Sequence, residues 1–327
     1  FEAAINPFGD GAKMMAVSAD NSNIIYILEE DGGLFGGIYK STDSGDNFVE
    51  LDHGTNNYFG YSSTADDDRG QAPRDMDIIA NPSDVDEVHI AGILSWKSND
   101  GGATFDVTSQ WTPYNASTQN IGYCHADIDI MIYAHNKVYV GTDGGIFVAE
   151  TPNSVDVNYY TDLTAGLGIR QFYRIGISQT DPVIVSGGSQ DNGTSVRDIS
   201  GDWKDWLGAD GMESFVSKFA SNVLFGTSQN GSLYKSNNGG DSYTGISSPE
   251  GKSGNWITPF EQDPSVVSTI YSGYDEVYKS SNGGSSWISI SQNFGANLNH
   301  LKIAPSNNLI MYTSHGSSLY KTLDGGT

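Results

Sequence analysis

A short polar pattern, Ser/Thr-x-Asp/Asn-x-Gly-x-x-aromatic, recurs in this chain directly after runs that read as β-strands. It appears as Ser41, Asp43, Gly45, Phe48 and as Ser98, Asp100, Gly102, Phe105. It returns as Ser236, Asn238, Gly240, Tyr243 and as Ser280, Asn282, Gly284, Trp287, and a further copy, Thr322, Asp324, Gly326, ends the sequence in mid-motif. From Asn238 to Asn282 is 44 residues and from Asn282 to Asp324 is 42. From Asp43 to Asp100 is 57, and from Asp100 to Asn238 is 138, room for about three periods. A period of this length marks an array of supersecondary units, each too small to bury a core alone.

The chemistry of the pattern explains its composition. Ser and Asp or Asn side chains bond nearby backbone groups and hold a turn without a ladder partner. Glycine supplies a positive φ at little steric cost. The aromatic is expected to open the next strand and bury itself between sheets. The pattern therefore reads as a hairpin clasp between the last two strands of a small antiparallel sheet. In one complete period "WITPFEQ", "TIYSGY" and "EVYKSS" precede the clasp and "WISIS" follows it. Two degenerate copies belong in the middle, where "VYVGTDGGIFVAE" (138–150) and "VIVSGGSQDNGTSV" (183–196) supply strand pairs. Seven units result. The expectation is an all-β chain, a seven-bladed β-propeller of four-stranded antiparallel blades, occupying 1–327 as one domain. The last unit lacks an outer strand, and the N-terminal "FEAAINPF" is expected to provide it and close the ring.

Forty acids against sixteen bases give a formal charge of -24, which repels a phosphate backbone and argues against nucleic acid as partner. Neutral polymers, cations and basic protein patches remain compatible with it. No apolar run approaches the roughly 18 residues of a membrane span. The one cysteine, Cys124, excludes an internal disulfide and reads as a small buried hydrophobe rather than a nucleophile. The opening "FEAAINPFGD" reads as mid-protein sequence, so the chain is expected to be mature or trimmed.

The clasps resemble the Asp-box, or BNR, repeats of sialidases, sortilin-type receptors and xyloglucanase-type glycoside hydrolases. The segments "GQAPRDMDIIANPSDVDEVHIAGILSWKSNDGG", "CHADIDIM", "TDGGIF", "GGSQDNGT" and "GADGM" are also similar to secreted Bacteroidetes propeller proteins. That resemblance implies an extracellular or cell-surface location, further modules in the parent chain and a type IX secretion signal there. It specifies architecture, since the same repeat serves hydrolases and pure binding proteins.

Aligning the periods places the clasps at one end of the strands and gathers other residues at the opposite end. Turns between the second and third strands carry Asp143, Gln190, Asp191 and Asn192. Starts of first strands carry His125, Asp127, Arg174, Asp210 and Trp256. Carboxylates, amides and an aromatic of this kind build sugar and peptide sites. His125 and Asp127, two apart on an expected strand, would share a face. Such a pair serves as a metal ligand with its support, as an acid–base couple, or as a tie between neighbouring sheets. Asp191 and Asp210 are the candidate catalytic carboxylates, although turn chemistry also explains each of them. Asp66, Asp67 and Asp68 could hold calcium, but they lack the EF-hand spacing and also read as a solvated loop. No cofactor is required.

Two function classes follow. The first is a secreted or surface module that binds a glycan or protein. The second is a glycoside hydrolase, which needs two carboxyl groups about 5–9.5 Å apart. Xyloglucanase-type enzymes, as the resemblance implies, work between two propellers, of which this chain would be one. A sialidase is disfavoured: only five arginines exist, and "YRIG" at 173–176 lacks the proline of that family's motif.

Overall fold

The computed structural model describes residues 7–181 and 183–326. Apart from two short 3-10 turns and one short helix, every regular element among them is a strand. The chain divides into two compact units, one ending at Ile169 and the other starting at Arg170.

The described residues of the first unit contain three four-stranded sheets and one two-stranded pair. The first comprises β1 (Lys13–Val17), β2 (Ile25–Asp31), β3 (Leu34–Ser41) and β4 (Val49–Leu51). The second comprises β5 (Asp77–Asn81), β6 (Asp84–Ala91), β7 (Ser95–Ser98) and β8 (Asp106–Val107). An insertion follows, in which β9 (Ser109–Gln110) and β10 (Gly122–Tyr123) pair in parallel around helix α1 (Pro113–Gln119). Thr112 caps this helix by accepting the Asn115 N–H, with Pro113 suited to its first turn. The third sheet comprises β11 (Ile128–Ala134), β12 (Lys137–Thr142), β13 (Gly145–Ala149) and β14 (Tyr160–Asp162).

The second unit continues the pattern. The fourth sheet has β15 (Arg174–Ile177), β16 (Val185–Gly188), β17 (Thr194–Arg197) and β18 (Trp203–Leu207). The fifth has β19 (Ser214–Val216), β20 (Leu224–Thr227), β21 (Leu233–Ser236) and β22 (Thr244–Ile246). The sixth has β23 (Phe260–Gln262), β24 (Ile270–Gly273), β25 (Val277–Ser280) and β26 (Ile288–Ser289). The seventh, β27 (His300–Ile303), β28 (Met311–His315) and β29 (Ser318–Thr322), has three strands among the described residues. Strand order follows chain order within each of these sheets, the arrangement that short hairpin connections impose. The segment expected to add a fourth strand to the seventh sheet lies largely in 1–6, outside the described residues. Of its described part, Phe8 packs edge-on against Tyr39 and Phe48 of the first sheet.

Each clasp closes by one repeated set of bonds. Ser41 Oγ accepts the Gly45 N–H at 2.9 Å and donates to Asp43 at 2.8 Å, and Asp43 Oδ1 accepts the Asn47 N–H at 2.9 Å. The same set joins Ser98, Asp100, Gly102 and Thr104, then Ser236, Asn238, Gly240 and Ser242, then Ser280, Asn282, Gly284 and Ser286. In the fourth sheet Asp198 closes a shorter turn by accepting the Ser200 and Asp202 N–H groups.

The clasp aromatic behaves differently from the expectation. Phe48, Phe105 and Trp287 are half-buried and Tyr243 is 48% exposed, because they open the outermost strand of a sheet. The clasp glycine is the buried element instead. Gly240 has a φ of +93°, and a Cβ there would meet the Trp206 Cβ of the preceding sheet at 2.7 Å. Gly102 and Gly284 likewise face Leu51 and Ile246 of the sheets before them. Sheet-to-sheet packing buries the rest of the core. Leu28 and Ile38 of the first sheet and Val88 and Ile90 of the second belong to one cluster, each wholly buried. Burial of one such side chain stabilises the fold by about 1.5–3 kcal/mol.

Candidate functional site

The strand ends opposite the clasps carry the polar groups, and each unit holds its own set. In the first unit the segment before β5 and the segment before β11 meet at the β12–β13 turn. Asp143 occupies that turn, and its N–H donates to the Asp127 carbonyl at 3.3 Å. Asp127 has a φ of +63°, so the strand alternation expected to place it beside His125 does not operate: both residues precede β11. His125 instead covers Gly144, where a Cβ would lie 2.1 Å from the imidazole, and its Nδ1–H donates to the Ala126 carbonyl at 3.2 Å. The imidazole thus packs against the β12–β13 turn of its own sheet.

Around Asp127 the side chains form a dense acidic cluster. Gln71 Nε2 donates to Asp127 Oδ1 at 2.9 Å. Arg74 Nη2 donates to Asp143 Oδ1 at 2.5 Å, and its Nε stands 3.8 Å from Asp75 Oδ1. Carboxylate oxygens of Asp127 and Asp143 lie within 4.8 Å of each other. Asp75 is 0% exposed and neither of its oxygens accepts a hydrogen bond. Burial, reinforced by the charge of Asp127, pushes its carboxyl up to about 7 despite Arg74. Burial raises Asp127 and Asp129 as well, with Asp143 adding repulsion to both. Asp77, by contrast, is satisfied: its carboxylate accepts the Met131 N–H at 2.5 Å and the Ile78 N–H at 2.8 Å.

In the second unit the β16–β17 turn and the loop before β19 lie back to back. Asp210 Oδ1 accepts the Asp191 N–H at 2.9 Å, while the Gly211 N–H donates to the Ser189 carbonyl at 2.9 Å. Asp191 has a φ of +58° inside a turn closed from Ser189 N–H to the Gly193 carbonyl. Asn192 Nδ2 donates to the Gln190 carbonyl at 3.0 Å, and the Tyr173 hydroxyl donates to Gln190 Oε1. Arg174 Nη1 donates to the Tyr173 carbonyl at 2.9 Å, with its Nε 3.7 Å from Glu213 Oε2.

At and near the first strands of this unit runs an ion network in which only Arg174 is a sequence candidate: Glu213 beside Arg174, and Glu261 paired with Lys302. Burial raises Glu213 to about 7, opposed by Lys302 and Arg174 and assisted by Glu261. Glu213 sits one position before β19, the register that puts Arg174 and Asp75 at or near a strand start, and that register was the signal available for it. Trp256 precedes β23 and is 44% exposed. Its neighbour Asn255 ties the loop down, donating through Nδ2 to the Asn297 and Leu298 carbonyls at 3.2 and 2.9 Å.

Of the two readings of Asp66, Asp67 and Asp68, the hydrogen bonds favour the plain loop. Asp66 accepts from Ser62 Oγ at 2.5 Å, and Asp67 Oδ2 accepts the Tyr61 N–H at 2.8 Å, so both serve to shape the loop. Asp66, Asp67 and Asp68 do not bring three carboxylates within 4.8 Å of one another. Cys124 is buried, and burial pushes its thiol well up, consistent with an inert core position. No described helix is long and apolar enough to cross a membrane.

No protein-family model matches the chain, and no curated protein matches its sequence. Solved structures align along nearly all of it. The GH74 enzyme of Niastella koreensis aligns at 14% identity and a TM-score of 0.31, over 97% of this chain and 64% of that one. A GH74 xyloglucanase from Xanthomonas campestris aligns at 12% identity and 0.32, over 96% and 59%. A YCF48 structure bound to a D1 peptide aligns at 12% identity and 0.39, over 96% and 92%. The chain thus spans about three fifths of the length of these two GH74 enzymes. At such identities and TM-scores the likenesses assign neither a ligand nor a reaction to this chain.

Proposed function

We propose that this chain is a binding module of a secreted or cell-surface protein, a β-propeller with Asp-box clasps that grips a glycan or a protein ligand. The observation that carries the reading is the Trp256 loop. An indole left 44% exposed, on a loop pinned by two hydrogen bonds from the Asn255 side-chain amide, is a rigid flat platform of the kind that stacks on a sugar ring or an apolar side chain. Hydrogen-bonding groups at the same strand ends of this unit, Gln190, Asn192 and Arg174, supply the polar half of such a site. Ring closure, seven blades, and further modules in the parent chain belong to the same proposal.

The hydrolase alternative draws less support. Hydrolysis requires two carboxyl groups facing a common bond, one of them protonated. Asp210 instead holds the backbone of the Asp191 turn at 2.9 Å, a scaffold task. The carboxyls held up near neutrality, Asp75 and Glu213, are withdrawn from the surface.

A glycan array and a panel of extracellular proteins, probed with the purified chain, test the reading. Binding without turnover is expected, with Trp256→Ala weakening it tenfold or more, on the order of the 1.4 kcal/mol or more that a buried aromatic contact contributes. Release of reducing sugar that disappears in Asp191→Ala or Asp210→Ala would overturn it in favour of the hydrolase.

A further inference from the structure

The segments 57–69 and 109–123 stand outside the four-stranded repeat, and insertions on a rigid scaffold are where binding residues concentrate. Together they bring three side chains into one stack. The Arg69 guanidinium lies over the Tyr61 ring, 4.7 Å from its centroid, and the Trp111 indole meets that ring edge-on at 6.4 Å. Trp111 is 43% exposed and the Arg69 side chain 69% exposed, so the stack is open to solvent. The backbone beneath it is fixed. Asn57 Nδ2 donates to the Arg69 carbonyl at 2.8 Å and to the Asp67 carbonyl at 3.2 Å, while Asp67 Oδ2 accepts the Tyr61 N–H at 2.8 Å. Trp111 is bracketed by β9 and by Thr112, the cap of α1.

We propose that this surface docks a basic polypeptide segment through its arginine side chains, with the exposed indole of Trp111 as the principal contact. The molecule already displays the recognition chemistry, since Arg69 on Tyr61 is a guanidinium seated on an aromatic ring. An indole attracts a cation more strongly than a phenol ring does. Charge complementarity selects a basic ligand. Residues 61–69 hold three acids, Asp66, Asp67 and Asp68, against Arg69 alone. Asp66 and Asp68 are exposed, and Asp66 is held at 2.5 Å by the hydroxyl of Ser62, the residue next to Tyr61. The formal charge of -24 steers a cationic partner to the chain and repels a phosphate backbone. Guanidinium suits the surface better than ammonium: it is planar and weakly hydrated, so it stacks on a ring while its N–H groups reach carboxylates. Because the backbone is already held, little ordering opposes binding. The surface lies wholly within the first unit and is independent of the Trp256 loop.

The experiment titrates the full chain into a fluorescein-labelled octapeptide of alternating arginine and serine and reads anisotropy at low and high salt. Saturable binding is expected, with the lysine–serine counterpart weaker by about threefold and the glutamate–serine counterpart silent. Trp111→Ala should weaken the arginine peptide by about fivefold or more. Asp66→Asn combined with Asp68→Asn should weaken it by about threefold at low salt and hardly at all at high salt. Trp111→Phe, which keeps a ring, should recover part of the affinity lost in Trp111→Ala, an outcome that separates ring contact from misfolding. Trp203→Ala, which removes a comparably exposed indole of the second unit, should bind as wild type does. Equal affinity of wild type and Trp111→Ala would overturn the proposal, since a diffuse negative surface would then explain the binding. So would the absence of saturable binding, or a neutral-glycan signal that depends on Trp111 while the peptide stays unbound.

Discussion

The clasps and the acidic cluster of the first unit are built from the same residue types and behave in opposite ways. In a clasp, Ser236 and Asn238 meet the amide hydrogens of Gly240 and Ser242 within four residues, so its polar groups are satisfied locally. In the cluster, Asp75 stands beside Arg74, whose guanidinium also holds Asp143 from 69 residues further along the chain, and its oxygens are left without a hydrogen bond. Satisfied polar groups stabilise a turn and ask for nothing further. Unsatisfied buried ones are retained at a cost in stability. The second unit lies between these extremes: Glu213 is only partly exposed, and Arg174 and the Glu261–Lys302 pair surround it with mixed charge.

The contrast can be broken most forcefully at a clasp glycine. Gly240→Ala combines an unfavourable positive φ with a Cβ driven onto Trp206, and should cost about 2–4 kcal/mol by chemical denaturation. A loss below 0.5 kcal/mol would show that the clasp does not set sheet packing. Glu213→Gln probes the intermediate case through pH. The folded carboxyl keeps its proton up to about 7, whereas the unfolded one releases it near its ordinary value of 4.5. Between those values the folded state binds more protons, so the native chain loses stability as pH rises through that window. The Gln variant should therefore be more stable than wild type at pH 8 by about 1–2 kcal/mol and equal to it near pH 4.5, read from paired denaturation curves. Equal differences at both pH values would mean that Glu213 is compensated in full.

Ser236→Ala removes the acceptor of the Gly240 N–H and should cost about 1–1.5 kcal/mol, with ligand binding at the opposite strand ends unchanged. A change in binding would link the two ends of the sheet. The smallest effect is expected from Asp66→Asn, an exposed loop position, which should leave the melting midpoint where it was.

Much of the fold was legible in the chain. The 44- and 42-residue spacings located the clasps of the last three sheets, and the segments at 138–150 and 183–196 became β12–β13 and β16–β17. The positions assigned to the non-clasp end, from Asp143 and Gln190 to Asp210 and Trp256, do fall in the expected turns or just before first strands. The clasp aromatic is a wedge only in part: Phe105 and Trp287 pack against buried clusters, whereas Tyr243 is 48% exposed, because burial depends on whether a neighbour covers that edge, which hydropathy alone does not reveal. The strand expected to carry both His125 and Asp127 on one face starts only at Ile128, and a residue at φ +63° interrupts the two-residue alternation. Asp75 and Glu213 stood in plain view at strand starts, but nothing in their local context distinguishes a buried carboxylate from a solvated one.

The sequence by itself determined the repeated antiparallel sheet and its clasps, because a hairpin turn is closed by bonds between residues at most a few positions apart, and composition at those positions is enough to specify it. Only the tertiary structure decided which of the forty acids are enclosed together and which carry a partner. Desolvation and charge–charge repulsion depend on distances between segments remote in the chain, and those distances exist only once the sheets have packed.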